Sequence, residues 1–114
     1  MVSKADTYSF SALLQLANLK KAELNVFIRM QSVRQNLDIR RRVQMSLAQY
    51  RKKIPFDIQM KLIAITLEIE KYCRSFLMTE FRKQVKQKYP LANESKIKAL
   101  AKAKTELFMA KYAY

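Results

Sequence analysis

The side chains in this chain with most to offer chemically are cations. Arg40, Arg41 and Arg42 stand in a row, and Arg51, Lys52 and Lys53 follow 11 residues later. Arg82, Lys83, Lys86 and Lys88 form a third group, with Lys98 and Lys102 beyond it. A guanidinium presents a planar fork that matches two phosphate oxygens at once, while an ammonium acts as a point charge. The chemistry these residue types suit is the holding of phosphates. On an α-helix, 11 residues come close to three full turns, so Arg40 lines up with Arg51, Arg41 with Lys52 and Arg42 with Lys53, each pair about 16 Å apart. Gln44, Ser46 and Gln49 lie among them as uncharged hydrogen-bonding groups. A helix of this kind is expected to meet a nucleic-acid backbone at two separate points.

The charge is not spread evenly. Residues 29–53 carry eight bases and one acid, as do residues 82–104, so each segment holds +7 and together they account for the whole net charge of +14. A solvated helix face is the plainer explanation of a single basic run. Two runs that hold the entire surplus point instead to a polyanionic partner. Of the six tyrosines, Tyr89 beside Lys86 and Lys88 is best placed to stack on a base, whereas Tyr50 and Tyr72 fall at core spacing. Lys104 falls within an apolar stripe and is expected to snorkel at its edge.

Much other chemistry is excluded. The 114 residues include no His, no Gly, no Trp and one Cys. Phosphate-cradling glycine loops cannot be built, and neither zinc sites of the usual ligand types nor His-dependent catalytic triads can be assembled. Glu68 and Glu70, two residues apart, point to different sides of a helix and cannot share a substrate proton. Cys73 lies on an apolar stripe with Ile69, Tyr72 and Phe76, which predicts a buried thiol. The expectation is a protein that is not an enzyme and uses no cofactor or metal. A lone Cys suits a reducing compartment. Residues 1–12 lack a signal-peptide core, and the longest uncharged run, Thr7–Leu19, is 13 residues, against about 20 needed to span a bilayer. A cytoplasmic protein without a membrane partner is expected.

The positioning elements read as helices throughout, because the chain has no Gly, two Pro and 28% charged residues. Helix A is expected from near Ser9 towards Gln35, with Phe10, Leu13, Leu14, Ala17, Leu24, Phe27 and Ile28 on its apolar side and Asn18 or Asn25 as an interruption. Asn36 is the expected break before helix B, with Asp38 as its cap and Ile39, Val43, Leu47, Tyr50 and Ile54 as its stripe. Pro55 marks the next boundary. Asp57 restarts a long helix C bearing Ile58, Leu62, Ile65, Ile69, Tyr72, Phe76, Phe81 and Val85, closed by Pro90. Asn93 or Ser95 caps helix D, with Ile97, Leu100, Ala101, Leu107 and Phe108 facing inwards. The aromatic tail Phe108, Tyr112 and Tyr114 is expected to dock. The sum is one domain over residues 1–114, an all-α, compact helical bundle of about four or five amphipathic helices.

In size, helical pattern and the basic runs Arg40–Arg42, Arg51–Lys53 and Arg82–Lys88, the chain resembles the small subunit of CRISPR surveillance complexes. The likeness covers the whole chain in architecture and is carried by no signature motif. It implies a non-catalytic subunit lining a basic groove for the displaced non-target DNA strand or the guide–target duplex. It also implies several copies side by side, in contact with the larger subunits of the effector complex. In some such systems the small subunit is made from the end of the large-subunit gene, so such a chain also occurs as the tail of a larger one. Two other classes stand beside it: a ribosome-associated or nucleocapsid RNA-binding structural protein, and a basic membrane-surface protein held by anionic lipid. DNA and RNA, as single strands or as a duplex backbone, are left open as ligands.

Overall fold

The computed structural model describes residues 10–112. These form five α-helices and no strand: α1 (Phe10–Ala17), α2 (Lys21–Met30), α3 (Val33–Tyr50), α4 (Phe56–Lys88) and α5 (Glu94–Lys111). The all-α expectation is borne out. The expected helix start at Ser9, and the aromatics Tyr8 and Tyr114, lie outside the described residues. The chain divides into two compact units, Met1–Glu70 and Lys71–Tyr114, with α4 contributing to both.

In the first unit, the helix expected from Ser9 to Gln35 is two helices. The break falls at Asn18, one of the two asparagines suspected, but not by the left-handed conformation that asparagine tolerates. Among the described residues none has a positive φ. Instead the Asn18 and Leu19 amides donate to the Gln15 and Leu16 carbonyls at 3.2 and 3.1 Å, a tight three-residue closure. Lys20 is extended, and its amide donates to Glu23 Oε1 at 3.2 Å as α2 begins.

The expected break at Asn36 and cap at Asp38 are overturned. Ser32 is the cap: its Oγ accepts from the Gln35 amide at 3.1 Å, and Gln35 Oε1 accepts from the Ser32 amide at 2.9 Å. This reciprocal pair satisfies two amides that the first helical turn cannot. Asn36 is buried inside α3, where its Nδ2 donates to the Ile28 carbonyl at 2.8 Å and the Gln31 carbonyl at 3.3 Å. It therefore seals the end of α2 from the next helix, supplying partners to carbonyls left over by the helix terminus.

Leu13, Leu24, Ile28, Leu37, Ile39, Val43, Ile54, Leu62, Ile65 and Ile69 are the large buried side chains of this unit. Each contributes about 1.5–3 kcal/mol by leaving water. Pro55 ends the α3 connection as expected, and its carbonyl accepts the Gln59 amide at 3.0 Å to open α4. Asp57 sits in the first turn, suited to the positive end of the helix dipole. At 33 residues α4 is the long helix expected, about 50 Å end to end. It is apolar on two sides. Leu62, Ile65 and Ile69 are buried, whereas Phe56, Met60, Ile63 and Leu67, at spacings of four, three and four, form an exposed stripe.

In the second unit, Cys73 is buried with Leu77 and Val85, while Phe76, expected in the core, is 45% exposed. On α5 the buried residues are Ile97, Ala101, Thr105 and Met109, each four apart. A strict four-residue step drifts about 40° per turn around a helix. The buried line therefore rotates away from Lys104 and Leu107, and Leu107, expected inside, is 73% exposed. Thr105 satisfies its buried hydroxyl on the Ala101 carbonyl at 2.8 Å. Phe108 meets Phe81 edge-on at 6.3 Å and Tyr112 at 5.0 Å between ring centroids, so the aromatic tail packs as far as Tyr112. Arg74 reaches Glu106 with two hydrogen bonds, at 3.0 and 3.5 Å, and links α4 to α5.

Candidate nucleic-acid interface

The first basic cluster belongs to the Met1–Glu70 unit. Its leading member is not available. Arg40 is 6% exposed, and its Nη1 lies 2.9 Å from Glu70 Oε1. The α3 face that carries Ile39 and Val43 into the core takes Arg40 with it, and a buried guanidinium requires a charge partner. Arg40 is therefore corrected from phosphate contact to structural ion pair. Arg41, one residue on, is exposed, and Arg42 is half-buried.

Arg51, Lys52 and Lys53 are exposed, but α3 proper ends at Tyr50. Arg51 keeps helical backbone angles, and the Lys53 amide turns back to the Tyr50 carbonyl at 2.8 Å. The straight pairing of Arg41 with Lys52 and Arg42 with Lys53 along one helix therefore stops short of its second members. The turn is held from the next helix instead. Gln59 Nε2 donates to the Arg51 carbonyl at 2.7 Å and the Ile54 carbonyl at 2.8 Å. The sequence offered one sign of this clamp, a long amide side chain four residues after Pro55.

The second cluster belongs to the Lys71–Tyr114 unit. Arg82, Lys83 and Lys86 share an arc of about 100° at the end of α4, beside the buried Val85. All three are exposed, as are Lys88, Lys98 and Lys102. Lys83 has Glu80 at 3.6 Å, a solvent-screened pair of small energetic weight. For Arg41, Arg42, Arg51, Lys52, Lys53, Arg82, Lys86, Lys88, Lys98 and Lys102, no carboxylate within ion-pairing distance is found among the described residues. Lys104 is exposed, with Nζ 5.9 Å from the Phe81 ring centroid.

Between α4 and α5 the chain turns over Pro90, with the Ala92 amide donating to the Tyr89 carbonyl at 3.1 Å. Asn93 then caps α5, its Oδ1 accepting from the Lys96 amide at 2.8 Å. That cap brings Lys96 back towards the turn. The Nζ atoms of Lys88 and Lys96 lie 5.6 and 5.8 Å from the Tyr89 ring centroid. Lys96 was not among the expected site residues. Its signal was the spacing Asn93-x-x-Lys96, a cap fixing the third residue after it.

Among the described residues no three Cys, Asp or Glu side chains gather where a metal ion could be held, and no helix is long and apolar enough to cross a membrane. What the arrangement offers is exposed cations of fixed backbone position, suited to phosphate oxygens. No family model, curated protein or solved structure matches the chain.

Proposed function

We propose that this chain is a non-catalytic nucleic-acid-binding subunit that grips the phosphate backbone without reading base sequence. The observation that carries the proposal is the set of exposed Arg and Lys side chains in two segments that hold the whole net charge, nine of the expected contacts among them having no carboxylate within ion-pairing distance among the described residues. The exposed stripe Phe56, Met60, Ile63 and Leu67 supports placement in a larger assembly, since solvent-facing apolar side chains at regular spacing suit a protein neighbour. Within this class we propose the small subunit of a CRISPR surveillance complex, cytoplasmic and present in several copies. Its basic residues would line the path of the displaced non-target strand or the guide–target duplex. Size, helical content and the basic runs support this choice. A ribosome-associated or nucleocapsid protein shares the same electrostatic mechanism.

The test is binding to single-stranded DNA, single-stranded RNA, duplex DNA and anionic vesicles across a salt series. Neutralising about six phosphates on a single strand gives a slope of log K against log salt near −4. A steep slope with little sequence preference is the expected result. Absence of nucleic-acid affinity, or binding to vesicles alone, overturns the proposal.

A further inference from the structure

We infer that Tyr89 is a base-stacking platform, which makes the second unit a reader of unpaired strands and not only of charge. The inference rests on the nucleic-acid proposal and deepens it by naming single-stranded nucleic acid as the ligand class.

Tyr89 is the residue just beyond the end of α4, and its backbone is fully engaged. Its amide donates to the Val85 carbonyl at 2.8 Å, and its carbonyl accepts from the Ala92 amide at 3.1 Å. Pro90 fixes the next φ, so the ring projects from a stiff turn. Tyr89 as a residue is 42% exposed, and the neighbouring Leu91 is 100% exposed. Neither side chain gains stability by burial comparable to that of a core residue. Over the ring stand the ammoniums of Lys88 and Lys96, both on exposed side chains. A planar base that stacks on this ring takes the place of an ammonium over its face, and the displaced ammoniums then meet the phosphates on either side of the base. Base–aromatic stacking tolerates any sequence, because every base has a π face. A duplex keeps its bases stacked on one another and cannot use such a platform without unpairing.

The test separates base from backbone. Wild-type protein is titrated with a single-stranded oligothymidylate and with an abasic phosphodiester strand of equal length, at one salt concentration. One stacked base gives about tenfold tighter binding of the oligothymidylate. Tyr89→Ala is expected to remove that preference while leaving affinity for the abasic strand and the salt slope unchanged. Tyr89→Phe keeps the preference. If wild type binds both strands equally, stacking is overturned and backbone gripping stands. A preference for bases that survives in Tyr89→Ala overturns the assignment to this residue. If neither strand binds, both proposals fall.

Discussion

Arg40 and Arg41 are neighbours in sequence with opposite circumstances. One is buried against Glu70, the other faces water. Arg40→Met removes a charge the fold depends on and leaves Glu70, itself mostly covered, without its guanidinium. A fully buried pair loses about 3–5 kcal/mol on such a change. With Glu70 partly solvated the expected loss is about 2 kcal/mol, read as a lower urea midpoint, with the salt slope of single-strand binding unchanged. Arg41→Gln has the converse signature. Stability stays within about 0.5 kcal/mol of wild type, and the slope becomes shallower by about 0.7. An affinity loss confined to Arg40→Met would reverse these roles. Sequence spacing could not separate the two, because the arc between a core stripe and a solvated face is narrower than an arginine is long. The same limit hid the structural use of Asn36. Its side chain is a helix breaker when it bonds to its own backbone and a helix sealer when it reaches another helix, and only the fold decides which.

At the scale of elements, the boundaries set by strong local chemistry were legible. Pro55 and Asn93 stand where the backbone geometry of a prolyl bond and an Asx cap require. The start of α3 was equally legible in Ser32-x-x-Gln35, but the more conspicuous Asn36 and Asp38 drew the expected boundary away from it. Ser32→Ala should cost about 1 kcal/mol, observable as a lower thermal midpoint and as faster amide exchange in the first turn of α3. Unchanged exchange at Gln35 would contradict the cap. The faces of α4 and α5 were harder to assign. On α4 two apolar lines run side by side, and periodicity alone does not say which is covered. On α5 the four-residue step moves the buried line around the helix, so Leu107, apolar and correctly phased near the start, finishes in water.

For the molecule as a whole, the cationic surplus is a cost in isolation. Net charge of +14 repels itself, and the repulsion is felt over about 30 Å at 0.01 M salt but only about 8 Å at 0.15 M. The thermal midpoint is therefore expected to rise by several degrees across that range, since about 1 kcal/mol moves the midpoint of a domain this size by roughly 4–8 °C. A short polyanion at low salt should raise it in the same way, by binding the folded state. A midpoint that falls with salt would show that the ion pairs Arg40–Glu70 and Arg74–Glu106 outweigh the repulsion. The fold class and the presence of two charged segments were visible in composition. The grouping of Lys96 with Tyr89 was legible only in part: the Asn93 cap fixes the Lys96 amide, while the approach of its side chain to the ring depends on the direction in which α5 leaves the turn.

The connection between α3 and α4 also has a bearing on proteolysis. Arg51, Lys52 and Lys53 offer a trypsin-like protease three successive cleavable bonds at the surface, in a stretch where proteins are commonly nicked. Cleavage needs an extended segment, and this one is curled, tied by the Lys53 and Ile54 amides to the Tyr50 carbonyl and by Gln59 to Arg51 and Ile54. Each cut must wait for those bonds to open together. The rate of nicking between α3 and α4 is then a direct reading of how firmly the Tyr50 carbonyl and the Gln59 side chain together keep the turn shut.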